Sequence, residues 1–395
     1  MSPALSEWLA VNLRWFHLVT GAAWIGASFY FNWLNNHVRP LEGNDPDPAV
    51  TGEVFAIHGG AFYRVSKYAG APARLPKLLH WFKWEAYFTW ITGFLLLALV
   101  YWHDARAMMV DAAVHDVSPM SAVAVGLASL VVSYGVYDLL CRSPLSVRPR
   151  AFAAVGFGLF VALSWVLFEL LAPRAAAMHL GAAIGTVMAA NVLFVIIPGQ
   201  RDMVDAMVAG RPPPLARGAA GALRSLHNNY LTLPVLLVMV SNHYPAVWVG
   251  PSGWLMVPAL CVLGVLIRHG FNLRGQGASR PFVVSWVGAA GLVALAVGSG
   301  WSQRRPSAES GSPTVTVSQV QMVIAARCMG CHATEPSLPG FAAPPKGLAL
   351  EDRATIEAHR ASIAAQVESR VMPLGNLTGM TDEERALVVA WARGG

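Results

Sequence analysis

The chain has 395 residues, of which 55% are hydrophobic and only 13% are charged, and its mean hydropathy is +0.47. Soluble globular domains carry about 25% charged residues, so this composition excludes a disordered chain, a disulfide scaffold and an ordinary cytosolic enzyme. The composition is that of a polytopic membrane protein. In such a protein the basic residues behind the formal net charge of +6 set which loops face the cytoplasm, and the charge does not indicate nucleic-acid binding.

Eight stretches are long and apolar enough to cross a bilayer as helices, which takes about 20 residues. They are predicted at residues 8–34, 83–103, 119–141, 150–172, 176–198, 223–244, 253–271 and 281–301. Arg14 and His17 interrupt the first stretch, and no basic segment precedes it, so we expect a retained helix and not a signal peptide. Residues 1–301 are therefore predicted to form an eight-span transmembrane bundle.

The distribution of basic residues predicts the orientation of this bundle. Lys and Arg are concentrated in the first, third, fifth and seventh connections, whereas the even-numbered connections hold only Arg106 and Arg174. Loops rich in Lys and Arg remain in the cytoplasm. The bias predicts that both termini lie outside the cytoplasm, which is the periplasm for the bacterial inner-membrane location that we expect, and Arg304 and Arg305 after the last span are exceptions to it.

The long first connection contains a candidate ligand-binding loop. His58, Gly59 and Gly60 are consecutive, and Tyr63 and Lys67 follow. Adjacent glycines allow backbone N–H groups to approach a ligand closely, and His, Tyr and Lys side chains suit a planar anion. The alternative is a simple glycine turn between interfacial helices.

Histidines within the predicted spans or at their ends include His17, His179, His243 and His269. An ionisable residue in a span is a functional candidate, because burying it in lipid costs about 3 kcal/mol or more. Facing imidazoles on neighbouring helices can hold a haem b, so these four residues are candidate ligands of one. The alternative for each is a hydrogen-bonded residue in a helix contact.

The sixth predicted span begins with an unusually polar run. Arg224, His227, Asn228 and Asn229 place several hydrogen-bonding groups within about one and a half helical turns. They lie just inside the predicted cytoplasmic end of the span. A cytoplasmic-facing pocket with basic and amide groups is suited to a planar anion, since these groups can hold its oxygens.

After Trp301 the composition becomes polar, and residues 302–314 have the Ser- and Pro-rich character of a flexible linker. Residues 315–395 are sufficient for one small domain. They contain the run Cys328-Met329-Gly330-Cys331-His332, and C-x-x-C-H is the attachment site of haem c. The alternatives are a redox-active C-x-x-C and half of a zinc site, but zinc needs a second Cys/His pair, and the only other histidine here is His359.

A sixth iron ligand is expected downstream of His332. Met372 precedes Pro373 in a loop that matches the Met-Pro loop of small cytochromes c, and a thioether ligand raises the reduction potential. Met380 is the competitor, but it precedes Thr381 and three acidic residues, which predict the start of a helix. The tail is therefore predicted to be a small class I cytochrome c domain, so that the whole chain is all-α.

Several of these stretches together resemble the membrane-bound urate oxidase family. They are Arg14-Trp15-Phe16-His17 with Trp24-Ile25-Gly26, the His58-Gly59-Gly60 loop, residues 80–85 (HWFKWE), residues 191–200 (NVLFVIIPGQ), residues 224–245 (RSLHNNYLTLPVLLVMVSNHYP) and the C-terminal cytochrome c. The resemblance covers essentially the whole chain, and residues 224–245 carry most of its specificity.

The resemblance implies oxidation of urate to 5-hydroxyisourate, with the electrons passed to haem c and not directly to oxygen. The implied partners are urate, the lipid bilayer and a downstream electron acceptor such as a respiratory oxidase or a soluble cytochrome. His58 or His227 is the hypothesised general base. The hypothesised substrate contacts are Gly59, Gly60, Tyr63, Lys67, Arg224, Asn228 and Asn229.

Two other functions fit the same composition. In one, the bundle anchors the cytochrome beside a partner oxidase or dehydrogenase and has no substrate site of its own. In the other, the bundle is a purine transporter with a redox tail, as the helix-breaking Pro198-Gly199 and Pro234 would suit.

Overall fold

The computed structural model describes residues 3–40, 49–68, 72, 74–76, 78–111, 114–115, 117–244, 247–248, 252–303, 315–338, 341 and 343–394. These residues are mostly helical. The helices of the N-terminal part are α1 (Pro3–His37), α2 (Trp84–Leu97), α3 (Ala105–Met108), α4 (Pro119–Arg142), α5 (Pro149–Leu170), α6 (Pro173–Asn191), α7 (Ile197–Val208), α8 (Leu215–Ser241), α9 (Gly253–Gly275) and α10 (Phe282–Gln303). Two π-helical segments, Ala98–Trp102 and Val192–Ile196, extend α2 and join α6 to α7.

Among the described residues, five helical stretches are long and apolar enough to cross a membrane, and each coincides with a predicted span. They are Trp84–Trp102, Pro119–Arg142, Pro149–Leu170, Pro173–Val208 and Gly253–Gly275. The remaining three predicted spans are also helical and correspond to α1, α8 and α10. Polar side chains such as His17 in α1 and Arg224 in α8 lower the hydropathy of two of them, and α10 is apolar over at least Phe282–Gly298.

One segment departs from the all-α prediction. Strands β1 (Val50–His58) and β2 (Ala61–Tyr68) form an antiparallel hairpin in which His58 pairs with Ala61. Gly59 and Gly60 form the two-residue turn with φ of +58° and +80°, which is the left-handed conformation that such turns require. The expectation of helix throughout was wrong here, because alternating apolar residues flank a Gly-Gly pair.

Helix α6 lies at the centre of the N-terminal bundle and contacts α2, α4, α5 and α8. Its surface is built from small residues, and Ala175, Ala176 and Ala183 are buried. A Cβ on Gly181 would lie 2.8 Å from Cγ1 of Val238 in α8, so α8 approaches α6 as closely as a glycine permits. Small residues at helix contacts are the usual means of close packing in membranes.

The C-terminal part has a core of its own. It comprises α11 (Val317–Arg327), α12 (Met329–His332), α13 (Arg353–Ala358), α14 (Arg360–Glu368) and α15 (Asp382–Arg393). Ile324 of α11 and Trp391 of α15 are buried in the same apolar cluster. The predicted helix start is confirmed, because Thr381 and Glu384 form a reciprocal capping box at the beginning of α15.

The two parts meet at a short turn of the C-terminal part. Residues Leu374–Asn376 form a 3₁₀ turn that packs against α3, and Val371 contacts the core of the N-terminal bundle. Gly375 has φ +53°, and a Cβ there would lie 2.6 Å from the carbonyl oxygen of Ala107. The contact therefore depends on a glycine both for its backbone conformation and for its space.

Replacing Gly375 by Ala should separate this turn from α3. We expect amide hydrogen exchange in Ala105–Met108 to become about tenfold faster, the equivalent of about 1.4 kcal/mol. Gly347→Ala is the matched control, because Gly347 also has a positive φ (+67°) but no atom lies within 4 Å of its Cβ position. Equal exchange rates in the two variants would show that the contact contributes no stability.

Candidate functional site

The C-x-x-C-H segment folds so that its histidine is oriented by the backbone. Cys328 ends α11, and the short helix α12 carries Cys331 and His332. Nδ1 of His332 donates to the carbonyl oxygen of Leu348 at 2.9 Å. Such a bond fixes the ring and leaves Nε2 as the atom for a metal, so this histidine suits an axial haem ligand.

The two cysteines lie in an environment that favours uncharged sulfur. Burial raises the pKa of the Cys328 thiol to about 11, and the neighbouring Cys331 contributes to this shift. Burial also raises the pKa of Cys331. A thioether is uncharged, so both positions suit covalent attachment to a porphyrin. A zinc site would need more ligands, and the described part of the chain has no group of three or more His, Cys, Asp or Glu residues placed to hold a metal ion.

The two candidate methionines have different surroundings. Met380 is buried in the C-terminal core at 3% exposure, which is a packing position. Met372 is half-buried, and its carbonyl accepts a hydrogen bond from the Arg385 guanidinium at 2.7 Å. Arg385 also donates to Asn376, so one buried cation holds the Met372 loop in place. The role of Met372 as a ligand remains a prediction.

Each of the four bundle histidines has a separate set of neighbours. His17 hydrogen-bonds through Nδ1 to the carbonyl of Thr89 at 2.9 Å, and His269 bonds to the Tyr230 hydroxyl at 2.8 Å. His243 is exposed beyond the end of α8. These contacts are those of hydrogen-bonded residues at helix contacts and ends, and their role as haem b ligands is still a prediction.

His179 is fully buried and uses both ring nitrogens. Nδ1 bonds to the carbonyl of Ala175 at 2.8 Å, and Nε2 accepts from the Trp102 indole at 3.1 Å. In this arrangement neither nitrogen presents a lone pair to iron. Binding of a haem b at His179 would require Trp102 to move.

The polar run of α8 divides between two sides of the helix. Arg224 forms an ion pair with Asp138 of α4 at 2.6 Å and lies over the ring of Tyr137. His227 bonds to the Tyr137 hydroxyl at 2.9 Å, and Asn228 donates to the carbonyl of Met188 at 3.0 Å. The Asn191 amide donates to both Tyr137 and Asn228. We give the name Arg224 cluster to Tyr137, Asp138, Asn191, Arg224, His227 and Asn228. Its members satisfy one another, which is the behaviour of a structural network.

Asn229 belongs to a second group, which we call the Arg268 cluster: Asn32, Asn229, Arg268 and Asn272. The Arg268 Nε donates to Oδ1 of Asn229 at 2.5 Å, and Asn229 donates to Oδ1 of Asn272 at 3.1 Å. Asn32 donates to the same Asn272 oxygen at 3.1 Å. The cluster joins α1, α8 and α9 and borders a cleft of about 220 Å³ between the ends of α1 and α9.

Of the four members of this second cluster, only Asn229 is among the contacts predicted from the sequence. Arg268 lies in the predicted span at residues 253–271 with no functional role assigned to it, and in the structure it is buried within α9 at 7% exposure. Arg268 and Asn272 are four residues apart, a spacing that places both on one face of a helix. An arginine inside the predicted span 253–271, with an asparagine one helical turn farther along, was the available signal.

The hairpin candidates do not join either cluster. His58, Gly59 and Gly60 form the exposed turn of the hairpin, and Tyr63 is half-exposed. Only Lys67, near the open end of the hairpin, reaches the bundle, where its Nζ donates to Asn35 of α1 at 3.1 Å. The structure therefore separates the predicted glycine loop from the predicted contacts on α8.

Comparison with known proteins adds one finding. The model of a family described as urate oxidase N-terminal matches residues 3–299, which is the whole helical bundle with its hairpin. No curated protein matches the chain. No solved structure matches it either.

The ion pair of Arg224 and Asp138 should contribute strongly to stability. Replacing Asp138 by Ala leaves a buried guanidinium without its carboxylate, and we expect a loss of about 3–5 kcal/mol in the free energy of unfolding. The measurement is thermal or denaturant unfolding of the purified protein in detergent. The matched control is Asp202→Ala, which breaks the exposed pair of Asp202 and Arg217 and should cost no more than about 1 kcal/mol. Similar losses in both variants would contradict the structural role of the Arg224 cluster.

Proposed function

The chain belongs to the urate oxidase N-terminal family, and on that basis we propose that it oxidises urate and passes the electrons to a haem c on its own C-terminal domain. The family match over residues 3–299 is the observation that carries this proposal. The C-x-x-C-H segment supports the second half of it, because His332 is oriented by Leu348 in the manner of an iron ligand.

The proposed reaction takes urate and water to 5-hydroxyisourate, two protons and two electrons. Haem c, when bound, accepts one electron at a time, so two transfers are needed for each urate. Cys328 and Cys331 would hold the porphyrin, while His332 and Met372 would bind the iron. A soluble cytochrome or a respiratory oxidase would then accept the electrons.

A base must take protons from urate or from the attacking water, and His227 and His58 are our candidates. In the tautomer in which the Nδ1–H of His227 donates to the Tyr137 hydroxyl oxygen, Nε2 holds the lone pair that would take a proton. Phe152 stacks on the same ring with the centroids 4.7 Å apart, which holds the imidazole in one orientation. His58 lies at the exposed hairpin turn, and there it would act on substrate only at the surface.

We propose that the bundle lies in the bacterial inner membrane, with α1, α8 and α10 completing eight spans. In this arrangement residues 1–301 form the membrane domain, residues 302–314 a linker and residues 315–395 the periplasmic cytochrome c domain. The bias of Lys and Arg toward alternate connections supports this orientation. Linker residues 304–314 lie outside the described residues.

Electrons from a cytoplasmic substrate would have to cross about 30 Å of hydrocarbon to reach a periplasmic haem. A second redox centre between them is therefore part of the proposal, with His17, His179, His243 and His269 as its candidate ligands. The engaged nitrogens of His179 make it the least favourable of the four. A pyridine haemochrome spectrum measures this directly, and the absence of extractable protohaem would exclude a haem b.

Urate added to the purified, oxidised, full-length protein should reduce its haem c with no other protein present. The measurement is the absorbance of the reduced α-band after anaerobic mixing. Reduction that occurs only after a second protein is added would favour the electron-transfer subunit. Urate uptake by proteoliposomes without haem reduction would favour the transporter.

Replacing Met372 by Ala should abolish the weak absorption band of Met–Fe(III) at the red end of the spectrum and lower the reduction potential, since the thioether ligand is lost. Both are measured on the purified protein by optical redox titration. A Met380→Ala variant should keep the band, because Met380 packs in the core. Loss of the band only in Met380→Ala would assign the ligand to Met380.

A further inference from the structure

We propose that the cleft beside the Arg268 cluster is a binding site for a planar oxopurine anion, the chemical class of urate. The proposal rests on the proposed function for its choice of substrate and locates the site on the side of α8 away from His227, so that His227 would not be the base for urate bound here. The cleft is lined by Phe29, Asn32, Trp33, Asn36, His37, Arg268, Phe271, Arg274 and Gly275. None of these residues is among the contacts predicted from the sequence.

The polar groups beside the cleft have a surplus of hydrogen-bond donors. One terminal nitrogen of Arg268 (NH2) and the amide nitrogen of Asn272 are buried and have no hydrogen-bond partner among the described residues. Buried donors without partners cost free energy, and a ligand that presents several acceptor oxygens would remove that cost. Urate presents carbonyl oxygens and a negative charge, so it matches this surplus.

The charge of the cleft is also unbalanced. Arg268 has no carboxylate partner within the described part of the chain, and no Asp or Glu lines the cleft. Arg274 adds a second guanidinium at the opening. Arg224 differs in this respect because it forms an ion pair with Asp138, which also pairs with Arg142. Of these two buried arginines, Arg268 is the one whose charge is left for a ligand.

The walls of the cleft are flat and aromatic. The Arg268 guanidinium lies 4.1 Å from the centroid of the Phe29 ring, which aligns the cation with an aromatic face. Trp33 stacks on His37 with ring centroids 5.0 Å apart and an interplanar angle of 24°. Stacking on such rings is how proteins hold purine bases without reading their edges. The cleft has a volume of about 220 Å³, below the range of about 300–1,000 Å³ for drug-sized ligands. This smaller volume suits a single bicyclic ring system.

The position of the cleft agrees with substrate entry from the cytoplasm. It opens between the C-terminal ends of α1 and α9, and these ends face the predicted cytoplasmic side. Lys67 donates a hydrogen bond to Asn35, the residue before Asn36 of the cleft. The open end of the hairpin therefore lies beside the opening of the cleft.

The test separates binding from oxidation. Radiolabelled urate is added to the full-length protein in nanodiscs after reduction with dithionite, so that no turnover occurs, and its dissociation constant is measured by equilibrium dialysis. Arg268→Gln should raise that constant about 10- to 100-fold, as loss of a charge-assisted hydrogen bond predicts. Trp33→Leu should raise it about tenfold through the loss of stacking. Since Trp33 is half-buried, this second variant decides the question if Arg268→Gln does not fold.

Arg280→Gln is the matched control, because it removes the same charge from the exposed turn that follows α9 and lies outside the cleft. It should leave urate binding unchanged.

Unchanged binding in folded Arg268→Gln or in Trp33→Leu, or no binding by the unmodified protein, would overturn the site. If urate binds and Arg268→Gln loses it, but urate fails to reduce the haem of the oxidised protein, the site stands and the proposed oxidation fails. If urate reduces the haem with the same half-saturating concentration in Arg268→Gln, the oxidation stands and the site fails.

Discussion

A polar side chain inside an apolar helical bundle must find a partner within the protein, because no water is present to solvate it. Helix α8 meets this constraint on two sides. Toward α4 and α6, Arg224 and its neighbours are paired with one another and with Asp138. Toward α1 and α9, Asn229 joins Arg268 and Asn272, and donors of that group still have no partner in the described residues. The Arg224 cluster, whose members are paired with one another, stabilises the bundle. The Arg268 cluster keeps unpaired donors that can bind a ligand.

The close packing of the bundle places these two groups. Gly181 of α6 admits Val238 of α8, which brings the polar first half of α8 against Met188 and Asn191 farther along α6. At the other side, Gly275 of α9 lies against Asn36 of α1, where a Cβ would be 2.6 Å from the Asn36 side chain. The ends of α1 and α9 thus meet at a residue without a side chain, and the cleft forms beside that contact.

Periodicity and composition predicted the helices well, since an apolar run of sufficient length has few alternatives in a membrane protein. All eight predicted spans are helical, although polar residues keep α1 and α8 outside the five clearly apolar ones. The hairpin could have been predicted, because Gly59 and Gly60 lie between alternating apolar residues. The Arg268 cluster could be predicted only in part. Its contact between Asn32 and Asn272 joins residues 240 positions apart, and a single sequence contains no signal of such a pairing.

The contact of Gly375 with Ala107 limits where another protein can bind the C-terminal part. The turn that follows Met372 is already covered by the N-terminal bundle, which Val371 also contacts. A face that is covered in this way is closed to diffusing proteins. A partner protein of the proposed cytochrome c domain would therefore have to dock on another face, and its release would leave the internal contact undisturbed.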